Sequence, residues 1–573
     1  MSRSSTTNAT ILIIAPKYAT DRVHKYYKNI LPIGLGYISS VLKDAGYEVE
    51  FLNAWLHDGP VEDIIKETLS KQEYSFVLTG GLSVHYPTVK NCVDSVRKYA
   101  SFARVILGGG IISSQPDLMF RVLQPDYIII GEGELTILEL LEHLNNDRDL
   151  SEVNGIGYRD PEGKLVLTGP REPIRDIDSL PWPDFEALGL DTILDSTLPS
   201  DLYYYDLFDS PRPYPLIASR SCPYRCTFCF HPIGNKYRQR SIANIIDELT
   251  FAINRYKINI VEFYDELFSY DKKRVHDLCT QLKQLFESVP WKVKWTCQMR
   301  VDTIDDELLE TMKDAGCYLL SLGLESYSPT VLKSMRKHIT PQQIDNALRT
   351  THRHNMTIQG NFIFGDVAET TKTAYETLNY WKQNSDLFGG GISLGFIQPY
   401  PGTALYEHAL KSGIIKDEID FIENHLLEPI NMSDTMTERE FEQLRLDIAV
   451  ARLSHARCQR PLPGRERHNG TWAVHVRCPY CDVVSVYRHY APPAGWQSYH
   501  DICCRHCRMR FQLVSLAGKL RNVLFRMALR ITPKSYWCLR SVKKIMDNVT
   551  GYVRRLWAER TMTWGKGSGP STD

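Results

Sequence analysis

The chain's 573 residues are too many for one ordinary domain, and a prior of about one domain per 150 residues predicts about three or four. Hydrophobic residues at 43%, charged residues at 24% and a formal net charge of −1 describe a globular chain with ample core and no global attraction to nucleic acid or an anionic membrane. The opening MSRSSTTNATILIIAP carries an apolar run too short for a signal peptide, and no stretch nears the roughly 18 apolar residues of a membrane span. The fourteen cysteines fall mostly in two tight clusters with metal-ligand spacing, which argues against a secreted disulfide framework and for a reducing cytoplasm.

Residues 1–150 alternate short apolar strands with helical patterns, the signature of a doubly wound parallel sheet. Ile11–Ala15 reads as a buried strand, and Gly34–Ala45 as a helix that Gly46 stops in the left-handed conformation. Val49–Leu52, Phe76–Thr79, Val105–Leu107 and Tyr127–Ile130 are the further strands. Glycines gather just after strands, at Gly80-Gly81, Gly108-Gly109-Gly110 and Gly131-Glu132-Gly133, where ligands of such sheets bind. Tight turns alone would also use them. PKYATD follows the first strand where a dinucleotide fingerprint would stand, which argues against a nicotinamide or flavin dinucleotide.

Residues 151–212 form a Pro- and Asp-rich connecting segment. Over 213–415 the alternation returns, with LIASRS, IVEFYDE, VKWTCQM, LLSLGLES, GNFIFGD and ISLGFIQP as strands, which predicts a full or partial parallel barrel with its chemistry at the strand C-termini. One helix opens at Thr340-Pro341-Gln342-Gln343, a capping box with proline in the first turn. A helical extension and linker occupy 416–468, with a helix from Thr437 to about His455 capped by Thr437 and Glu440. A four-cysteine module spans 469–515 and a basic helical tail 516–573.

Cys222, Cys226 and Cys229 stand at C-x3-C-x2-C directly after the predicted first barrel strand. Three thiolates on one loop can hold three corners of a cubane, and soft sulfur selects an iron–sulfur cluster or zinc. A structural zinc site is closed by four ligands, so the missing fourth marks an open position; His231 as that fourth ligand is the blander alternative. The segment SRSCPYRCTFCFHP resembles the cluster loop of the radical S-adenosylmethionine (SAM) superfamily. That resemblance implies a [4Fe-4S] cluster whose open iron is chelated by SAM, which an electron then cleaves to a 5′-deoxyadenosyl radical. It also implies roles for the residues that follow in order. Phe228 would sit beside the adenine, Asp265 and Glu266 would accept from the SAM ammonium, and Arg300 would pair with its carboxylate. Glu325 and Ser326 would contact the ribose or amino acid moiety, and Gly365, with QPYPGT further on, would lie beside adenine and substrate. An electron donor such as flavodoxin or ferredoxin is implied as well.

The N-terminal region, through LPIGLGYISSVLKDAGYEVEFLNAW, LTGGLS, ILGGG and DYIIIGEGELTILEL, resembles the cobalamin-binding domain of the B12-dependent branch. The whole would then be an α/β protein: a Rossmann-like cobalamin-binding domain, a partial TIM-barrel radical SAM domain, a zinc-ribbon-like module and a helical tail. Gly80, Gly81, Gly108, Gly109, Gly110, Gly131, Glu132 and Gly133 would let the corrin approach the strand ends. There is no D-x-H-x-x-G sequence to supply a histidine below cobalt, and the loop after Gly110, IISSQPD, lacks a histidine common there. With cobalamin the resemblance implies methylation of an unactivated carbon or phosphinate; without it, a non-methylating radical cyclase, rearrangement or carbon–carbon bond-forming enzyme.

CPYC and CRHC place Cys478, Cys481, Cys504 and Cys507 as two knuckles, enough to close a tetrahedral zinc site, with iron or a second cluster as alternatives and Cys503 as a neighbouring thiol. The tail, with Arg521, Arg526, Arg530, Lys534, Arg540, Lys543, Lys544, Arg554, Arg555 and Arg560, fits a solvated helical face or peripheral contact with a membrane and a lipid-type substrate. A metal- and nucleic-acid-binding regulator with a dead barrel is the remaining reading, opposed by the intact cluster cysteines.

Overall fold

The computed structural model describes residues 9–17, 31–462, 466–468, 471–490 and 499–531. The run TILIIA forms β1 (Thr10–Ala15), nearly all buried, as a central parallel strand covered on both faces must be. Around it lie α1 (Ile33–Asp44), β2 (Glu48–Asn53), α2 (Val61–Leu69), β3 (Phe76–Gly80), α3 (Tyr86–Tyr99), β4 (Arg104–Gly108), α4 (Gly110–Ser114), α5 (Pro116–Leu123), β5 (Tyr127–Ile129) and α6 (Glu134–Asn145). Gly46 ends α1 at φ +87°, its N–H bonding Lys43 O while Tyr47 N–H bonds Leu42 O, a Schellman stop. The sheet does not end at residue 150. β6 (Ile156–Arg159) and β7 (Leu165–Leu167) add antiparallel, giving the order β2-β1-β3-β4-β5-β6-β7.

The connecting segment clamps this domain to the next. Asp184 accepts from Ser39 Oγ and Lys43 Nζ, each at 2.7 Å, and Asn53 Nδ2 donates to Leu188 O. Buried ion pairs complete the clamp: Arg220 reaches Glu132 (2.8 Å) and Glu134 (2.7 Å), and Arg238 reaches Glu132 (2.7 Å).

Six parallel strands follow, β8 (Pro213–Leu216), β9 (Ile260–Phe263), β10 (Lys294–Met299), β11 (Cys317–Glu325), β12 (Thr357–Phe364) and β13 (Ile392–Phe396). Each pairs with its predecessor, and among the described residues β8 and β13 do not meet, so the barrel is partial. Helices α7 (Ile242–Tyr256), α8 (Lys272–Glu287), α9 (Asp306–Asp314), α10 (Pro341–Arg353) and α11 (Thr371–Phe388) connect them. The capping box of α10 is formed, Thr340 and Gln343 exchanging side-chain-to-backbone bonds. So is that of α12 (Glu438–His455), by Thr437 and Glu440. The first strand is shifted from the expected LIASRS. It ends at Leu216 because the N–H groups of Ala218 and Ser219 turn to Asp265, after which Ser219–Arg220 pairs antiparallel with Arg238–Gln239.

The four-cysteine module, β14 (Thr471–Arg477), β15 (Val484–Tyr490), β16 (Tyr499–Cys503) and β17 (Arg510–Val514), leads into α13 (Leu516–Ile531). It docks on the N-terminal ends of the barrel strands. There Tyr205 and Phe208 of the connecting segment pack with Ile260, Tyr318 and Leu319, and Asp206 accepts Cys503 N–H while Arg505 bonds Asp206 O and Asp209. No helix of the described residues is long and apolar enough to cross a membrane. The basic tail from Lys534 onward lies outside the described residues.

Candidate active site

The loop carrying Cys222, Cys226 and Cys229 rises from the C-terminal end of β8. It is stitched in place by Thr227, whose N–H donates to Met335 O and whose carbonyl accepts from Leu405 N–H. Cys226 is buried, Cys222 half-buried and Cys229 exposed. Among the described residues, the group whose metal-ligand atoms all lie within 4.8 Å of one another is the other set, Cys478, Cys481, Cys504 and Cys507. The thiols of the upper loop are not in that group, and three soft thiols on one loop suit an open-cornered cluster. His231 Nδ1 turns to Glu266 at 3.3 Å.

Cations surround these thiols. Arg300 is buried, fixed by Asp302 (2.8 Å) and Lys337 O (2.9 Å), with its guanidinium 3.7 Å over the Tyr224 ring. Lys337 is buried against Glu325 at 2.6 Å. Burial works against its charge, but the Glu325 carboxylate outweighs this and raises its pKa. The adjoining Cys229 thiol lowers Cys226, burial opposes this, and Lys337 lowers it further, an environment that favours thiolate. Lys337 had no signal in the sequence beyond an ordinary lysine in SMRKHIT.

Four non-glycine residues with left-handed backbone converge here: Ser221 (φ +68°), Glu325 (+60°), Arg336 (+54°) and His338 (+55°). Such conformations persist where the surroundings over-determine them, and they cluster at functional sites. Those at Arg336 and His338 flank Lys337.

The other expected residues divide. Glu266 faces the cavity between the two domains. Asp265 is wholly buried and accepts from Ala218 N–H (2.7 Å), Ser219 N–H and Ser219 Oγ, so its carboxylate holds the first strand's exit; burial raises its pKa to about 6. Ser326 is buried, paired with Thr377 and capping Ser328 N–H. Gly365, at φ +96°, donates its N–H to the buried Glu369. Phe228 packs in the apolar cluster that joins both domains. Phe230, missed from sequence, lies so close to Gly402 that a β-carbon there would stand 2.5 Å from its ring.

Between the strand ends of the first domain and the barrel mouth lies a cavity of about 440 Å³. Gly80, Gly81, Gly108, Gly109, Gly110, Gly131, Glu132 and Gly133 all line it, facing Ile217, Ser219, Tyr264 and Glu266. Its edge could not carry side chains. A β-carbon on Gly80 would stand 2.3 Å from Gly108 O, and Gly109, at φ +82°, would meet Gly81 O at 2.9 Å. Gly34 and Gly131 face open space. Such a bare, largely apolar floor suits a broad flat macrocycle. Glu132 contributes a closed wall, its carboxylate being held by Arg220, Arg238 and Ile174 N–H. His85 also lines the cavity; its Nδ1 accepts Leu82 N–H, which leaves the hydrogen on Nε2, and burial lowers its pKa to about 4. Its imidazole is therefore uncharged near neutral pH.

The lower set is closed. Cys478 and Cys507 lie 3.7 Å apart, as do Cys481 and Cys504, and the N–H groups of Tyr480, His506 and Cys507 point at sulfur. The two knuckles repeat one geometry, each turning through a left-handed residue after its second cysteine, Asp482 (φ +62°) and Arg508 (+63°). This group can bind a metal.

An open thiol loop at the mouth of a parallel barrel, facing a bare glycine-edged sheet, is the arrangement of an enzyme that works with two cofactors. Residues 216–380 match the radical SAM superfamily and residues 20–141 the B12 binding domain. An uncharacterized methyltransferase of Pyrococcus horikoshii is 29% identical over 67% of this chain and 79% of its own. Cytidylyl-2-hydroxyethylphosphonate methyltransferase of Streptomyces wedmorensis is 25% identical over 71% of this chain and 85% of its own. The radical SAM methyltransferase TsrM from Kitasatospora setae superposes with a TM-score of 0.57 over 71% of this chain and 76% of that one; at 17% identity this likeness carries the fold alone. The chain is a radical SAM enzyme of the cobalamin-dependent methyltransferase type. Its domains imply a [4Fe-4S] cluster, SAM and cobalamin.

Proposed function

We propose that the enzyme methylates an unactivated carbon, or a phosphinate, of a small molecule. The observation that carries this reading is the cavity whose one wall is the glycine-edged sheet and whose other wall is the barrel mouth. When bound, the cluster and SAM supply one-electron chemistry for hydrogen abstraction, and cobalamin supplies a transferable methyl group. The chain's own residues do the holding. Cys222, Cys226 and Cys229 would bind the cluster, with Arg300 and Lys337 favouring the thiolate of Cys226. Glu266 would accept from the SAM ammonium, and Arg300 and Glu325 would orient its remaining polar groups. Phe228 and Gly365 would lie beside the adenine. The glycines of the sheet edge would seat the corrin, and the buried Arg220–Glu132–Arg238 clamp would hold the two domains in near-attack geometry and keep water out. A one-electron donor such as flavodoxin or ferredoxin would supply reductant, and the lower cysteines would hold zinc.

Anaerobic purification with added cobalamin tests the reading through the visible spectrum, metal content and products. Methylation predicts bound corrin and S-adenosylhomocysteine beside 5′-deoxyadenosine. 5′-Deoxyadenosine without S-adenosylhomocysteine, and no retained corrin, would give the non-methylating alternative.

A further inference from the structure

A second cavity, of about 400 Å³, lies on the inner side of β12 and β13. We propose that it is the substrate chamber and that it takes a hydrophilic molecule of sugar to nucleoside size that bears hydroxyl or amino groups. The assignment rests on the radical SAM reading of the upper loop.

Three regions far apart in sequence wall this cavity: the connecting segment at 200–204, the two strands, and β16 and β17 of the four-cysteine module. The carboxylates of Asp201 and Asp501, the amides of Gln359 and Asn361, the hydroxyl of Ser393 and the imidazole of His500 line it. Leu202 is the one aliphatic side chain among its lining residues. Several of the polar groups are pre-set. Tyr203 OH donates to Gln359 Oε1 at 2.6 Å, Ser393 Oγ donates to Asn361 Oδ1, and Arg510 is held by Asp501 while lying 4.1 Å over the Tyr203 ring. An apolar macrocycle or acyl chain seated here would desolvate these groups without replacing their hydrogen bonds, at a cost of about 1–3 kcal/mol for each one left unsatisfied. A polyhydroxylated or amino-bearing molecule replaces them.

Position supports the same assignment. Asn361 registers against Gly323 on β11, and side chains of paired strand positions share a face about 4.8 Å apart. A β-carbon on Gly323 would stand 2.6 Å from Lys337 Nζ and 2.8 Å from Glu325 Oε1. The chamber's upper end is therefore one strand away from the ion pair beside the cluster loop. On the other flank, Tyr204 lines this chamber and Tyr264 lines the first cavity, and both bond the buried Glu262. Tyr204, Tyr264 and the buried Glu262 thus link the linings of the two cavities. The lining of the first is mostly glycine and aliphatic and that of the second mostly polar, as two ligands of opposite character require. The four-cysteine module is then a wall of the chamber: its metal site fixes the strand pair that presents His500, Asp501 and Arg510.

The test uses full-length enzyme reconstituted with cluster, SAM and cobalamin, and isothermal titration with cytidine, glucosamine and protoporphyrin IX. Saturable binding of cytidine or glucosamine is expected, weakened about tenfold or more by Ser393→Leu and likewise by Asn361→Leu, with protoporphyrin IX failing to displace it; tenfold corresponds to the loss of about one hydrogen bond. The cluster and corrin spectra of each variant check that it has folded. The proposal is overturned if neither polar probe binds, if both variants bind them as the parent does, or if protoporphyrin IX binds in their place. Failure of the underlying reading is seen separately, as absent corrin and absent reductive SAM cleavage in the unaltered enzyme.

Discussion

Among the described residues two cysteine sites lie at opposite ends of one barrel, three thiols on a single loop at the mouth and two knuckles 22 residues apart at the base. At the mouth, Cys222, Cys226 and Cys229 stand on a strained loop among Arg300, Lys337 and Glu325, graded from buried to exposed. At the base, Cys478, Cys481, Cys504 and Cys507 close on one another, with backbone N–H groups aimed at sulfur. The mouth site offers three thiols with charge around them, as a site of chemistry would. The base site is complete in itself, which is what a staple needs. Ligand count separates the two in sequence, but only the surroundings show that buried cations flank the thiols of the mouth while backbone N–H groups face those of the base.

The comparison breaks most readily at the ligands. Cys226→Ser should lower cluster iron and take reductive SAM cleavage to background while the lower metal stays bound; metal analysis and 5′-deoxyadenosine assay read both. Cys478→Ser should do the converse. Structural zinc contributes about 10–16 kcal/mol to the folding of small zinc domains, so the module should lose its metal and become sensitive to limited proteolysis. Loss of the upper cluster in Cys478→Ser would show that the two sites are not independent.

Local signals carried much of this into the sequence. The thiol spacings, the glycines after β3, β4 and β5, and the capping boxes at Thr340 and Thr437 are each contained within a few residues, so they are visible without a fold. What was hidden depends on residues brought together from afar. Lys337 lies 12 positions from Glu325, and Arg220 lies 88 from Glu132. In isolation each is one of many charges. The segment around Tyr203–Phe208 has no periodicity because it does not form a long element; its aromatic residues plug the base of the barrel. The shifted end of β8 likewise follows from Asp265, 49 residues beyond Leu216, as the numbering gives (265 − 216).

Lys337→Met sharpens the claim that the mouth is prepared by charge. It leaves the Glu325 carboxylate buried without its partner, which costs about 3–5 kcal/mol. Urea unfolding should show that loss, and the double variant Lys337→Met/Glu325→Leu should recover most of it. Full stability in the single variant would mean that Glu325 reaches water and that the pair matters little.

Glu369, beneath Gly365, gives a pH signature to the mouth. Burial, opposed by the Gly365 N–H and reinforced by Asp366, raises its pKa from 4.5 to about 8. The folded state therefore holds this proton more tightly than the unfolded one, and stability falls as pH rises from about 4.5 to about 8. Each pH unit in that window carries up to about 1.4 kcal/mol. Glu369→Gln keeps an acceptor for Gly365 and cannot ionise. Its stability relative to the parent should stay level below about pH 4.5 and rise by a few kcal/mol by pH 8. A constant difference across that range would remove Glu369 from the account.

The smallest expected effect discriminates most finely, because it concerns two adjacent thiols. The C-x2-C spacing favours Cys504 over the adjacent Cys503 as ligand, and neighbouring side chains at the end of β16 point apart. Cys504 faces Cys481 at 3.7 Å, whereas Cys503 turns to the barrel, 3.5 Å from Thr357 Oγ1 and 3.3 Å from Arg508 O. Cys503→Ala should leave the metal stoichiometry unchanged and lower stability by about 1 kcal/mol, the ordinary loss for a small buried side chain. Cys504→Ala should abolish metal binding. Were Cys503→Ala to lose metal as Cys504→Ala does, the module would have a different ligand set from the one its geometry defines, and the base would no longer be the closed counterpart of the open mouth.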